Sequence, residues 1–291
     1  MRQNSILLTV LVALALPGQA LAIDRGATRG AEWLRTHAAR AGDGAAADAL
    51  IALRAGGRLS AADASARARA LRRGWNYSRT AGGPAKVVLG LRASGVGNPR
   101  CAGRNDLLAA IGRGRRGGRY RGNVYDQTLA MIAMRTLNAG PSRASVRTLI
   151  RARGGGGWNL RMTRGTGDSV SSTAMAILAL RGAGVSSRNT ALRSAHRWLL
   201  SRRTASGGFT EEGGRAQANA TALAIRATLA MGYRDPRAVR ALRSLQAADG
   251  SFLLSRTDSG SRLLATNDAV LALAGRTLPT GGLSRTPGPC R

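Results

Sequence analysis

The sequence predicts an all-α protein built from about six helix pairs, and three observations carry that expectation. Apolar residues recur at three- and four-residue spacing, while alternation never persists long enough for a strand. Related octets return along the chain: AADALIAL at Ala46, PAKVVLGL at Pro84, TLAMIAMR at Thr128, TAMAILAL at Thr173, TALAIRAT at Thr221 and TNDAVLAL at Thr266. Their intervals of 38, 44, 45, 48 and 45 residues suit two helices and two connections per unit. Glycine turns ending in an aromatic precede the later octets, at Gly157-Trp158, Gly208-Phe209 and Gly250-Ser251-Phe252.

Residues 1–22 are set apart from the fold. Arg2 gives a basic start, Ile6 to Leu16 a short apolar run, and Ala20-Leu21-Ala22 a small-residue cleavage site. This reads as a secretory signal peptide cut after Ala22, so the chain is expected to be secreted into the extracellular or envelope space. The run is too short for a comfortable membrane span, and no stable membrane insertion is expected.

The repeat domain is read over residues 23–278. EWLRTHAARA and AAADALIALRAGG form the first pair, with paired glycines as a stop. SAADASARARALRR and PAKVVLGLRASGVG form the second, where Pro84 fits a helix first turn. NDLLAAIGRGRR is a poor helix before the clearer TLAMIAMRTLNAG, and ASVRTLIRA leads into the Thr173 octet. RNTALRSAHRWLLSRR opens the fifth unit and PRAVRALRSLQAADGSF the sixth. Residues 279–291 are a Pro/Gly/Ser tail without helical period. Aromatics at the turns (Trp75, Tyr120, Trp158, Phe209, Phe252) read as wedges between neighbouring pairs.

Helix pairs of this period build either an open solenoid or a closed ring, and period alone slightly favours the solenoid. The local grammar favours the ring. QAADGSF from Gln246 to Phe252, followed by a Thr-led alanine helix, resembles the repeat of the squalene-cyclase and protein-prenyltransferase superfamily. So do Gly207-Gly208-Phe209 with Thr221-Ala222, and Gly157-Trp158 with Thr173-Ala174. The resemblance implies an α/α toroid, with the second helix of each repeat on the inside and any site at one mouth of the inner barrel.

That mouth would receive Tyr125, Asp126, Asp168, Glu211, Glu212, Asn219, Asp258, Asn267 and Asp268 as candidate ligand-binding residues. Capping explains many of them equally, since helix N-termini recruit side-chain acceptors. An enzyme reading would draw a general acid and base from the carboxylates. The superfamily's own signatures are missing: there is no DxDD, no CGEQ, and too few aromatics to steady a carbocation. Two cysteines and two histidines make no familiar zinc site, so neither metal nor cofactor is expected.

The formal charge is +31, and Lys86 is the only lysine among 45 basic residues. Arginine runs through the whole chain with alanine and glycine, as a GC-rich coding sequence gives, and no nucleic-acid reading module accompanies it. The leading sequence reading is a secreted, non-catalytic, monomeric toroid that binds a small molecule or envelope component. A carbohydrate- or isoprenoid-directed enzyme is the alternative, and an interaction scaffold the third reading. Cys101 and Cys290 are expected to pair, because export supplies oxidising conditions and no other cysteine competes.

Overall fold

The computed structural model describes residues 24–38, 43–165, 167–211 and 213–290. The leader assigned to residues 1–22, and Glu212, lie outside them. The first helix of each pair is α1 (Arg25–His37), α3 (Ala61–Arg73), α5 (Leu107–Gly112), α7 (Arg143–Arg151), α9 (Thr190–Ser201) and α11 (Pro236–Arg243). The second is α2 (Asp43–Ala55), α4 (Gly82–Ser94), α6 (Val124–Thr136), α8 (Val170–Gly182), α10 (Ala218–Ala230) and α12 (Arg262–Leu273). A two-residue hairpin, β1 (Cys101–Ala102) with β2 (Asn105–Asp106), precedes α5. The first helix starts well before the expected Glu32, because the Asp24 carboxylate accepts from the Gly26 amide at 2.8 Å and caps it there.

The two layers differ in how much surface they can hide. Helix α8 is buried without interruption from Val170 to Leu180, whereas α11 buries only Ala238, Ala241 and Leu242. A helix apolar on all sides belongs inside, and one with a narrow apolar stripe belongs outside. Each even-numbered helix packs on the next, and α12 packs on α2, so the inner layer is a closed ring. The units around Ala46 and Thr266 meet as a ring requires, which excludes the open solenoid. Helix α1 covers that seam, contacting both α12 and α2. The seam is tight: a Cβ on Gly30 would stand 2.8 Å from Val270 Cγ2.

One hydrogen bond recurs where each later turn meets its inner helix. The Thr173, Thr221 and Thr266 hydroxyls accept from the backbone N–H of Trp158, Phe209 and Phe252, each at 2.9 Å. All three aromatics are fully buried, as wedges should be. In the third unit Gln127 Oε1 accepts from the Tyr120 N–H at 2.8 Å, while the Thr128 hydroxyl bonds to the Tyr125 carbonyl. The third octet therefore begins at Gln127 and not at Thr128. The cap fixes this register: Gln127 follows Asn123 by the spacing that separates Thr173 from Ser169.

With that correction, Arg54, Arg92, Arg135 and Arg181 occupy one column directly after the octets. Several arginines at this end answer helix carbonyls that have no partner inside their own helix. Arg54 donates to the carbonyls of Ala93 and Ser94 at 2.8 and 2.9 Å, and Arg181 to that of Ala230 at 2.8 Å. Arg226 reaches just past the end of α12, donating to the Arg276 and Thr277 carbonyls at 3.0 and 3.3 Å. These arginines tie adjacent inner helices together, a use that composition alone did not suggest.

The tail has a definite course across the mouth where the inner helices end. Arg92 donates to the Gly281 carbonyl at 3.1 Å, the Leu283 amide to Thr136 at 2.9 Å, and Arg100 to Pro287 at 3.0 Å. It finishes in the expected disulfide, Cys101–Cys290, with the Cα atoms 5.5 Å apart.

Two stability experiments follow from this architecture. Thr221→Val strands the buried Phe209 amide and should lower the free energy of urea unfolding by about 1–3 kcal/mol. An unchanged midpoint would show that the turn bond contributes nothing. Cys290→Ser releases a closure spanning 189 residues. The chain-entropy estimate puts the loss at up to about 5 kcal/mol, and equal stability of variant and wild type would contradict it.

Candidate functional site

The inner helices enclose a lumen of about 260 Å³. Its wall follows from helical geometry: positions i, i+4 and i+7 share one face. Tyr125, Leu129 and Ile132 of α6 make one stave, Asn219, Leu223 and Arg226 of α10 another, and Leu264, Asp268 and Leu271 of α12 a third. Asp48 and Ile51, Lys86 and Leu89, and Ser171 and Met175 complete the ring, with Pro279 of the tail at the far end. The wall is mainly aliphatic, with Tyr125 as its one aromatic.

Set in that apolar wall are two carboxylates and two cations. Lys86 Nζ lies 2.5 Å from Asp48 Oδ2. Asn219 Nδ2 donates to Asp268 Oδ2 at 2.8 Å. Asp268 is half-buried and lines the lumen. Burial pushes its carboxyl up to about 6, against the opposing pull of the Asn219 hydrogen bond and the Arg226 charge; the Asp48 charge adds to the rise. Arg226 is itself buried, which draws its guanidinium below its ordinary value. Burial, with Glu211 nearby, pushes the Tyr125 phenol up to about 12, so it stays a neutral donor.

The sequence-based candidates divide into two groups. Tyr125, Asn219, Asn267 and Asp268 line the lumen together. Asn267 is buried and its Oδ1 has no hydrogen-bond partner among the described residues. The others hold backbone. Asp126 accepts from the amides of Gly82 at 3.0 Å and Asn123 at 2.8 Å, joining the starts of α4 and α6. Asp168 accepts from Gly156 at 3.0 Å and Gly157 at 2.7 Å, bracing the glycine turn. Glu211 reaches across to α8 and accepts from Val170 at 3.0 Å and Ser171 at 2.7 Å. Asp258 accepts from Gly260 at 2.8 Å on an exposed turn.

Asp48, Lys86 and Arg226 escaped the sequence reading, which looked for chemistry in the loops. The signal was present in the octets. Their third position is Leu or Met in the apolar units but Asp48, Lys86 and Asp268 in the others, and a charge inside an otherwise apolar helix points at something polar. Among the described residues no group of three or more His, Cys, Asp or Glu is placed to hold a metal ion. Among the same residues no helix is long and apolar enough to cross a membrane.

No protein-family model matches the sequence, and no curated protein matches it. Solved structures do share the fold. The type II terpene cyclase MstE from Scytonema is similar at TM-score 0.61 and 14% identity, covering 85% of this chain and 96% of that one. The ent-copalyl diphosphate synthase from Streptomyces platensis is similar at TM-score 0.57 and 18% identity, covering 80% of this chain. The present chain spans 50% of that synthase's length. A glycosidase variant in complex with glucose gives TM-score 0.47 at 15% identity, over 88% of this chain and 86% of that one. The fold is thus an α/α toroid of the terpenoid-cyclase type.

The raised Asp268 carboxyl has a measurable effect on stability. An acid whose value rises on folding favours the folded state while protonated, fully so below its unfolded value near 3.8. That contribution is lost as pH climbs through about 6. Asp268→Asn keeps an acceptor for Asn219 and removes the titration. The variant should therefore gain up to about 3 kcal/mol on wild type between roughly pH 4 and pH 7 in urea unfolding. Parallel pH profiles for the two proteins would contradict the assignment.

Proposed function

We propose that the lumen is a reaction chamber for an apolar, isoprenoid-like molecule bearing an oxygen, and that Asp268 is its general acid. The observation that carries this reading is a carboxyl raised to about 6 on an aliphatic wall, hydrogen-bonded by Asn219. Such an acid is matched to protonating an oxygen near neutral pH, as in opening an epoxide or loosening an alcohol leaving group. It is too weak for ready protonation of an unactivated carbon–carbon double bond, and the lumen has a single aromatic to steady a carbocation. The aliphatic lining favours an isoprenoid over a sugar. Likeness to two terpenoid-synthesising proteins supports the choice at the level of fold.

In this scheme the apolar body of the substrate packs on Leu129, Met175 and Leu223. Asp268 gives its proton to an epoxide oxygen as the C–O bond breaks and a water forms the new bond to that carbon. Asn219 stabilises the carboxylate meanwhile, and the proton lost by the water restores the acid, so the product is a diol. Lys86 and Arg226 add positive charge close to that carboxylate. Asp48 pairs with Lys86, and its charge adds to the burial that keeps the proton on Asp268.

A non-catalytic carrier is the second reading, favoured by the pairing of Lys86 with Asp48 and of Asn219 with Asp268. Calorimetry and product analysis with isoprenoid epoxides and alcohols separate the two. Wild type should bind and convert one of them, and Asp268→Asn should still bind while losing about 10²–10⁴-fold in turnover. Binding without conversion by wild type would select the carrier. Failure to bind, or binding that survives Leu223→Trp in the lumen, would overturn both.

A further inference from the structure

A second concave surface lies on the outside of the ring, between α9 and the loop joining α10 to α11. It is a groove of about 790 Å³. Its floor is His196, Leu200, Thr228 and Met231. His196 is buried, its Nε2 lies 3.2 Å from the Thr228 hydroxyl, and its ring stacks on Tyr233 with centroids 5.5 Å apart. That stack holds Tyr233 in place while leaving the residue 60% exposed.

The rim of the groove is cationic. Arg193 and Arg197 stand one turn apart on α9, Arg188 precedes that helix, and Arg234 follows Tyr233. All four are exposed, and none of their guanidinium groups has an ion-pair or hydrogen-bond partner among the described residues. The one carboxylate in the groove, Asp235, is already taken. Arg203 holds it at 2.5 Å, and it also caps α11 through the Ala238 amide at 3.0 Å. Unpaired arginines occur elsewhere on this surface too; here four of them ring one concave surface that also presents an open aromatic ring held by a stack.

We propose that this groove binds an acidic oligosaccharide, a chain of sugar rings carrying carboxylates. Guanidinium forks match carboxylates in a bidentate way that a point charge does not. The fixed face of Tyr233 offers a platform for one sugar ring, with an apolar floor beside it. Single-stranded nucleic acid fits less well, because it calls for successive aromatic platforms and the groove offers one. The site faces outward, away from the lumen, and stands whether or not the lumen is catalytic.

The test uses the full-length mature protein and a polygalacturonate hexamer, with the fully methyl-esterified hexamer as the neutral analogue. Binding is followed by calorimetry at physiological ionic strength. R193S/R197S should weaken binding of the acidic hexamer about tenfold or more. Tyr233→Ala should weaken it about threefold or more, since stacking adds to the charge. The reference is R69S/R73S, which removes the same two charges at the same helical spacing from exposed positions on α3. It should change affinity by less than about twofold. Far-ultraviolet circular dichroism should be the same for all variants, whose altered side chains are exposed.

Equal losses from the two arginine pairs would mean adhesion by overall charge and would overturn the proposal. Equal affinity for the esterified hexamer would overturn it as well. So would a single-stranded DNA hexamer that binds more tightly and shows the same dependence on Arg193, Arg197 and Tyr233.

Discussion

A threonine hydroxyl accepting from a turn amide sets the geometry of the last three repeats. The bond fixes a buried aromatic, Trp158, Phe209 or Phe252, against the start of its inner helix. With the aromatic fixed, the outer helix before it and the inner helix after it have one relative orientation. Repetition of that orientation brings α12 back to α2, and closure in turn creates a lumen. Glutamine performs the same task in the third unit with its longer side chain, so the geometry is kept while the residue changes.

Closure also explains how a chain this basic folds compactly. All six inner helices point the same way, leaving their terminal carbonyls at one mouth, and arginines on neighbouring helices answer those of α4 and α10. The tail then crosses that mouth and is pinned by Arg92, Arg100 and a disulfide. At the opposite mouth carboxylates meet the helix N-termini: Glu211 at α8 and Asp126 at α6. What remains between the two ends is a space walled by aliphatic side chains with a few charged ones, among which burial raises the Asp268 carboxyl.

The helix pairs are legible because the inner helices bury residues on most sides, as α8 does, while the outer ones bury a narrow stripe, as α11 does, a difference that short windows of sequence carry. The register of the third unit was misread because Thr128 imitates the threonine of later octets, while the cap at Asn123 decides which residue reaches the turn. Site residues were harder to read. Asp126, Asp168 and Glu211 belong to the residue types that both cap helices and build active sites, and only coordinates reveal which backbone amides they serve. Asp48, Lys86 and Arg226 were overlooked because a charge in an apolar octet gains meaning only once six octets are known to face one another. The path of the tail depends on partners more than a hundred residues away, which no local pattern encodes.

The chemistry of the lumen turns on Asp268 keeping its proton inside the ring. Carbon-detected NMR titration of aspartate carboxyl groups, comparing wild type with Asp268→Asn, tests this directly. The structure predicts one aspartate resonance titrating near 6, absent from the variant. A spectrum in which every aspartate titrates at or below its ordinary range, with no signal near 6 lost on substitution, would contradict it.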